Sequence, residues 1–206
     1  MGEFLIAVYE LATVAVPGTV AIIVIRYRGL RSGLRFGTHH VAWSAVFFFY
    51  LFLVLRITDA GTVYDIAVFG FDPTRHNFVP AFWGEPLGFA LNIALFVPFG
   101  ALAAVLRDGK APPSSALAAG AMLSALIEVS QLFNYRVTDI NDIVANTCGA
   151  LLGCIACSAM KGKEGLFARR EADPSRSAAL LYAAIAFAGR FLLFDELGAR
   201  SALLGS

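Results

Sequence analysis

Charge is what this sequence has least of. Asp, Glu, Lys and Arg make up 15% of its 206 residues, where a soluble domain carries about a quarter. With 58% hydrophobic residues and a mean hydropathy of +0.71, the composition excludes an ordinary water-soluble globule and is that of a polytopic membrane protein. The net charge of +1 is too small to draw the chain toward nucleic acid or acidic partners. Cysteine is scarce and odd in number, which excludes a simple disulfide framework; all 3 (Cys148, Cys154, Cys157) fall in one apolar run. The CxxC spacing of Cys154 and Cys157 reads there as small packing residues, not zinc ligands. No basic segment precedes the first apolar run at Phe4; the basic residues follow it. A cleavable signal peptide has the reverse order, so a retained helix is expected. Low-complexity tracts, internal repeats and a soluble domain are missing as well.

What is present is apolar sequence in span-sized pieces. Six segments come close to the roughly 20 mostly apolar residues that cross a bilayer: Phe4–Ile25, Val41–Ile57, Pro86–Leu106, Ser115–Phe133, Ile143–Met160 and Ser177–Phe194. The second and sixth are short, and Pro17 and Pro98 sit inside spans, where neighbouring helices tolerate kinks. The expected fold is all-α: a polytopic transmembrane helix bundle of about six spans forming a single transmembrane domain over residues 1–206. Three connecting loops carry Arg26, Arg28, Arg31 and Arg35; Arg107 and Lys110; and Lys161, Lys163, Arg169, Arg170 and Arg176, eleven of the 16 basic residues. All lie on one side of a six-span arrangement. The positive-inside rule makes that side cytoplasmic and both termini extracytoplasmic. Two outer loops remain: Thr58–Glu85, long and aromatic, and Asn134–Asp142, short and polar. The "GALLG" run Gly149–Gly153 is a GxxxG that allows close helix packing.

The polar residues inside spans are not spread evenly. Glu128 lies about five residues, roughly 7–8 Å, below the outer end of its span. Gln131 is one turn above it on the same face. Asn92, Asn146 and Glu10 lie at comparable depth, and Arg56 and Arg190 sit nearer the outer ends of their spans. The inner half offers little beyond Ser44 and Ser158. A charged side chain at the bilayer centre costs about 2.5–3.5 kcal/mol on insertion scales, so such groups face one another or a wet cavity. The simplest arrangement is a polar pocket open to the outside. In "RVTDINDIVAN", Arg136, Asp139 and Asp142 are three apart and Asn146 follows Asp142 by four; an early start to the fifth helix puts all four on one face. Each has a plain structural alternative. Asp139 or Asn141 is a good N-cap, Arg136 an interfacial anchor or ion-pair partner, and Gln131 and Asn92 interhelical glue.

The stretch Glu128–Gly153, with "NFVP" (Asn77–Pro80) and "LNIALFVPFG" (Leu91–Gly100), resembles the VanZ-like family of membrane proteins. The family pattern is Asn-x-x-Pro before a span, then an Asn-bearing helix ending in Pro-x-Gly. Glu-x-x-Gln follows, then Arg, Asp-x-x-Asp and Asn-Thr-x-Gly. The matching positions here are Asn77 and Pro80, Asn92, Pro98 and Gly100, Glu128 and Gln131, Arg136, Asp139 and Asp142, and Asn146, Thr147 and Gly149. The resemblance covers about Asn77–Gly153; the first span with Glu10 and the tail from Lys161 lie outside it. The family is similar to a factor linked with low-level resistance to the glycopeptide teicoplanin. The resemblance therefore implies a bacterial cell-membrane protein with a cell-envelope role, and it supplies no agreed reaction.

Three functional readings stay open. In the first, the pocket binds or modifies an envelope component such as a lipid head group or cell-wall precursor. Glu128, Asp139 and Asp142 are its candidate acid–base groups, and Asn77, Asn92, Gln131, Arg136 and Asn146 its binding residues. Arg136 suits a phosphate or carboxylate, Glu128 a proton-transfer role, and the aspartates a head group or a hard divalent ion. No Ser or Cys stands beside a His, so no nucleophile is evident, and His76 is a lone loop histidine. Neither a metal nor a cofactor is specified by the sequence, and the surrounding partner is the lipid bilayer. The second reading is a small-solute or proton-coupled transporter. A site of that kind sits near the midplane, whereas these polar groups do not. The third is a structural protein whose loop "FGFDPTRHNFVPAFWGEP" docks another envelope factor.

Overall fold

The computed structural model describes residues 1–31, 38–70, 76–77, 86–107, 112–160 and 178–204. Among the described residues five helices are long and apolar enough to cross a membrane: α1 (Gly2–Arg31), α2 (Thr38–Ile57), α4 (Pro86–Val105), α5 (Pro113–Gln131) and α6 (Ile140–Met160). Between α2 and α4 lie a short helix, α3 (Val63–Phe69), and a two-residue strand, β1 (His76–Asn77); a second such strand, β2 (Thr138–Asp139), precedes α6. The chain ends with α7 (Ala178–Leu193) and α8 (Glu196–Leu204), bent 50° from each other, which make a sixth span if taken as one broken helix. The protein is thus a multi-pass helical membrane protein embedded in a bilayer. Large apolar side chains face outward along the spans, among them Val16, Ile23, Phe49, Leu91 and Leu152. A water-soluble monomer does not expose that much apolar surface; lipid accepts it.

The spans match the hydropathy reading with informative shifts at their ends. α1 runs to Arg31, so Arg26, Arg28 and Arg31 are its last turns and not a loop. Arginine is a good helix former and no proline interrupts it there. α5 opens with Pro113 in the first turn, where the missing N–H costs nothing. The expected outer loop Thr58–Glu85 contains α3, which a capping box starts: the Thr62 N–H donates to Asp65 Oδ2 at 2.6 Å and the Asp65 N–H to Thr62 Oγ1 at 3.4 Å. The rest of that aromatic loop, residues 71–75 and 78–85, lies outside the described residues.

The tightest packing joins α4 to α6. A Cβ on Gly153 would lie 1.8 Å from the Val97 carbonyl oxygen, and one on Gly149 would lie 2.3 Å from that of Ile93. The GxxxG therefore lets two backbones touch, as dispersion-driven association in lipid requires. Cys154 is buried with Ala104 and Ala116 in a small apolar cluster, as a packing residue would be. The main core is aromatic: Phe47, Leu51 and Leu55 of α2 meet Phe96 and Phe99 of α4, Leu123 and Ile127 of α5, and Tyr182 of α7.

Candidate functional site

The site forms where α5 ends and α6 begins, and the loop between them is held from within. Glu128, in the last turns of α5, is 3% exposed. Its Oε2 accepts the Asp139 N–H at 2.8 Å, and its backbone carbonyl accepts the Thr138 hydroxyl at 3.0 Å. One residue thus anchors both positions of β2. β2 pairs in parallel with β1, in the register His76 with Thr138 and Asn77 with Asp139. The Asn77 side chain lies outside the described residues; its backbone is brought beside Asp139.

Asp139 then starts α6. Its Oδ1 accepts the Asn141 backbone N–H at 2.8 Å and the Asn141 Nδ2 at 2.7 Å, the geometry of an N-cap. The helix therefore begins at Ile140 and not early enough to include Arg136. The expected single helical face carrying Arg136, Asp139, Asp142 and Asn146 is corrected accordingly. Asp142 and Asn146 share a face of α6, while Asp139 reaches the same region from strand β2 and Arg136 from the bend before it. Asp142 Oδ1 accepts Asn92 Nδ2 at 2.6 Å, which ties α4 to α6 at this end. The charged groups close enough to act on Glu128 are Asp142, Asp139 and Arg136, and Asp139 and Arg136 act on Asp142 in the same way. Three carboxyl groups and one guanidinium thus share one small region.

Asn146 sits deeper. Its Nδ2 donates to Ser124 Oγ at 2.9 Å, one turn below Glu128 on α5, while its buried Oδ1 has no hydrogen-bond partner among the described residues. Gln131 turns away from this group: its Nε2 donates to the Thr58 carbonyl at 2.6 Å. Arg136 is exposed. Its backbone N–H is held by Asn134 Oδ1 at 2.8 Å, and among the described residues its guanidinium has no hydrogen bond or ion pair. Beside it, the Tyr135 hydroxyl donates to Asp59 Oδ2. That bond, with burial, pushes the phenol up to about 12, so it stays a donor through neutral pH. Among the described residues no group of three or more His, Cys, Asp or Glu side chains could hold a metal ion.

Two features escaped sequence reasoning. Buried Glu10 and Arg190 form an ion cluster with the more exposed Arg56: Arg190 Nε meets Glu10 Oε1 at 2.7 Å, and Arg56 Nη1 bonds Glu10 Oε2. The placement of all three in the outer halves of their spans was the available signal. The other is the turn Thr58–Gly61, where Asp59 takes a left-handed φ of 53°, a conformation Asp tolerates better than most residues.

The VanZ/LLP1 family matches the chain over residues 43–161, a segment that holds every candidate site residue. No curated protein and no solved structure matches it.

Proposed function

The chain belongs to the VanZ/LLP1 family, and from that footing we propose that it sits in the bacterial cell membrane and binds an anionic cell-envelope component, a phosphate-bearing lipid head group or cell-wall precursor, at its outer face. The observation that carries this reading is Arg136. Its backbone is pinned by Asn134 while its guanidinium has no partner among the described residues, within electrostatic reach of Glu128 and Asp142. An available guanidinium on an anchored backbone is a good receptor for phosphate or carboxylate, which it can grip through two parallel hydrogen bonds. Glu128, Asp139 and Asp142 are the groups able to take or give a proton to a ligand held there. Asn92 and Asn146 fix the first turns of α6 against α4 and α5, and Asn77 lies on the strand beside Asp139. Through this site the protein would lower susceptibility to teicoplanin-type glycopeptides.

Binding of short-chain phosphatidylglycerol to the purified protein in a zwitterionic detergent, with short-chain phosphatidylcholine as control, tests the site. Wild type is expected to take up the anionic lipid preferentially, Arg136→Ala to lose that preference, and Glu128→Gln to keep it. In a bacterial host, both variants are expected to lose any protection against teicoplanin that wild type confers. If both retain full protection and Arg136→Ala binds as wild type does, the site reading fails. A scaffolding role then takes its place; it is favoured by Gln131 and Asn92, whose amides bond across elements.

A further inference from the structure

We infer that Arg190, in the last span and outside the family-matched segment, is a positioning residue for the Arg136 site and acts through the Thr58–Gly61 turn. The inference rests on the binding reading for its functional half and on geometry alone for its structural half.

Arg190 is 3% exposed and Glu10 1%. Burying two ions is costly, and a well-packed apolar pair of the same volume is often as stable or more so. What an apolar pair lacks is direction. The guanidinium is a rigid fork with donors at fixed angles, and here it spans two partners. Nε sits on Glu10 Oε1 at 2.7 Å, and Nη1 donates to the Ala60 carbonyl. Glu10 is in turn held by Arg56 of α2, so the carboxylate fixes the fork relative to α1, α2 and α7 together.

The turn that Arg190 grips is bonded on its other side to the loop bearing Arg136. The Thr58 carbonyl accepts Gln131 Nε2 at 2.6 Å, the Asp59 carbonyl accepts Asn134 Nδ2 at 3.0 Å, and the Gly61 N–H donates to Ser130 Oγ at 2.9 Å. A Cβ on Gly61 would lie 2.3 Å from the Ser130 carbonyl oxygen, so the turn is seated directly on the end of α5. Asn134 completes the path: its Nδ2 holds the turn and its Oδ1 holds the Arg136 N–H at 2.8 Å. The path from Glu10 to the Arg136 backbone runs through hydrogen bonds to groups of fixed direction and the peptide that joins Asp59 to Ala60. Shifting the fork therefore shifts the turn, and the turn shifts the backbone that carries the receptor guanidinium.

The test uses the full chain in detergent with the three native cysteines replaced by alanine. A nitroxide is attached at Val137→Cys, next to Arg136, or at the lipid-facing control Leu152→Cys. Arg190→Lys keeps the charge beside Glu10 and removes the fork; Asn134→Ala breaks the last link without touching the buried ions, should the lysine variant fail to fold. Both are expected to loosen the nitroxide at position 137, leave the one at 152 unchanged, and weaken short-chain phosphatidylglycerol binding about tenfold, the equivalent of one good hydrogen bond. An unchanged spectrum at 137 in both variants overturns the inference, as does equal loosening at 152, which marks general unfolding. Loosening at 137 with lipid binding indifferent to Arg136→Ala as well leaves the positioning intact and removes the binding reading instead.

Discussion

The Glu128 carboxylate accepts the backbone N–H of Asp139, eleven residues further on, at 2.8 Å. The hairpin between α5 and α6 is thereby closed by the side chain at its base. With the Thr138 hydroxyl on the Glu128 carbonyl and the pairing to β1, this contact fixes where β2 lies, hence where Asp139 can cap α6, and hence which residues of α6 face Asn92.

Glu128→Gln and Glu128→Ala should differ in stability. Glutamine keeps an acceptor for the Asp139 N–H; alanine leaves that half-buried N–H without one, at a cost of up to about 1–3 kcal/mol. Thermal unfolding in detergent, followed by circular dichroism, is expected to show the alanine variant well below the glutamine variant. Equal midpoints would mean the loop is held by something other than this carboxylate.

Gly153→Ala should separate α4 from α6. The added methyl would meet the Val97 carbonyl oxygen at 1.8 Å, a backbone atom that cannot turn aside, so a penalty of at least about 1–3 kcal/mol is expected for overpacking. Leu152→Ala, on the lipid-facing side of the same helix, serves as the control. The close approach is refuted if the two variants unfold at the same temperature.

Glu10→Ala strands Arg190 in the core, and breaking a buried pair from one side costs about 3–5 kcal/mol. Arg56, with its side chain 40% exposed, can turn to solvent. The double variant Glu10→Ala/Arg190→Met should recover much of the loss, because no unpaired buried charge remains. A double variant no more stable than Glu10→Ala would show that the hydrogen bond to Ala60, and not charge burial, dominates.

Orientation is expected to follow the basic residues. In a cysteine-free background, Ser32→Cys and Lys163→Cys should be shielded from an impermeant thiol reagent in intact cells, and Thr74→Cys should react. Labelling of the first two with protection of the third would turn the bundle over and place the Arg136 site on the cytoplasmic face.

The sequence by itself determined the class and much of the plan. Scarce charge and span-length apolar runs need no partner to be read, because the bilayer sets both the length and the polarity that a helix must have. The same local logic marked the GxxxG that packs α6 on α4, and spacing gathered Glu128, Arg136, Asp139 and Asp142 into one stretch. Tertiary structure decided what hydropathy cannot carry. Depth along a span is legible, but rotation about the helix axis and the order of neighbours are not, since lipid accepts any apolar face. So Glu10, Arg56 and Arg190 could each be placed in the outer half of a span, but only the assembled bundle turns them toward one another. The start of α6 is a case of the same kind. Thr138 and Asp139 are extended because β1 pairs beside them and Glu128 holds their backbone, so Asp139 caps the helix and Arg136 is left outside it. Gln131 bonds Thr58 and not the carboxyl cluster because the turn after α2 is seated on the end of α5, a contact between residues 73 apart that no local pattern contains.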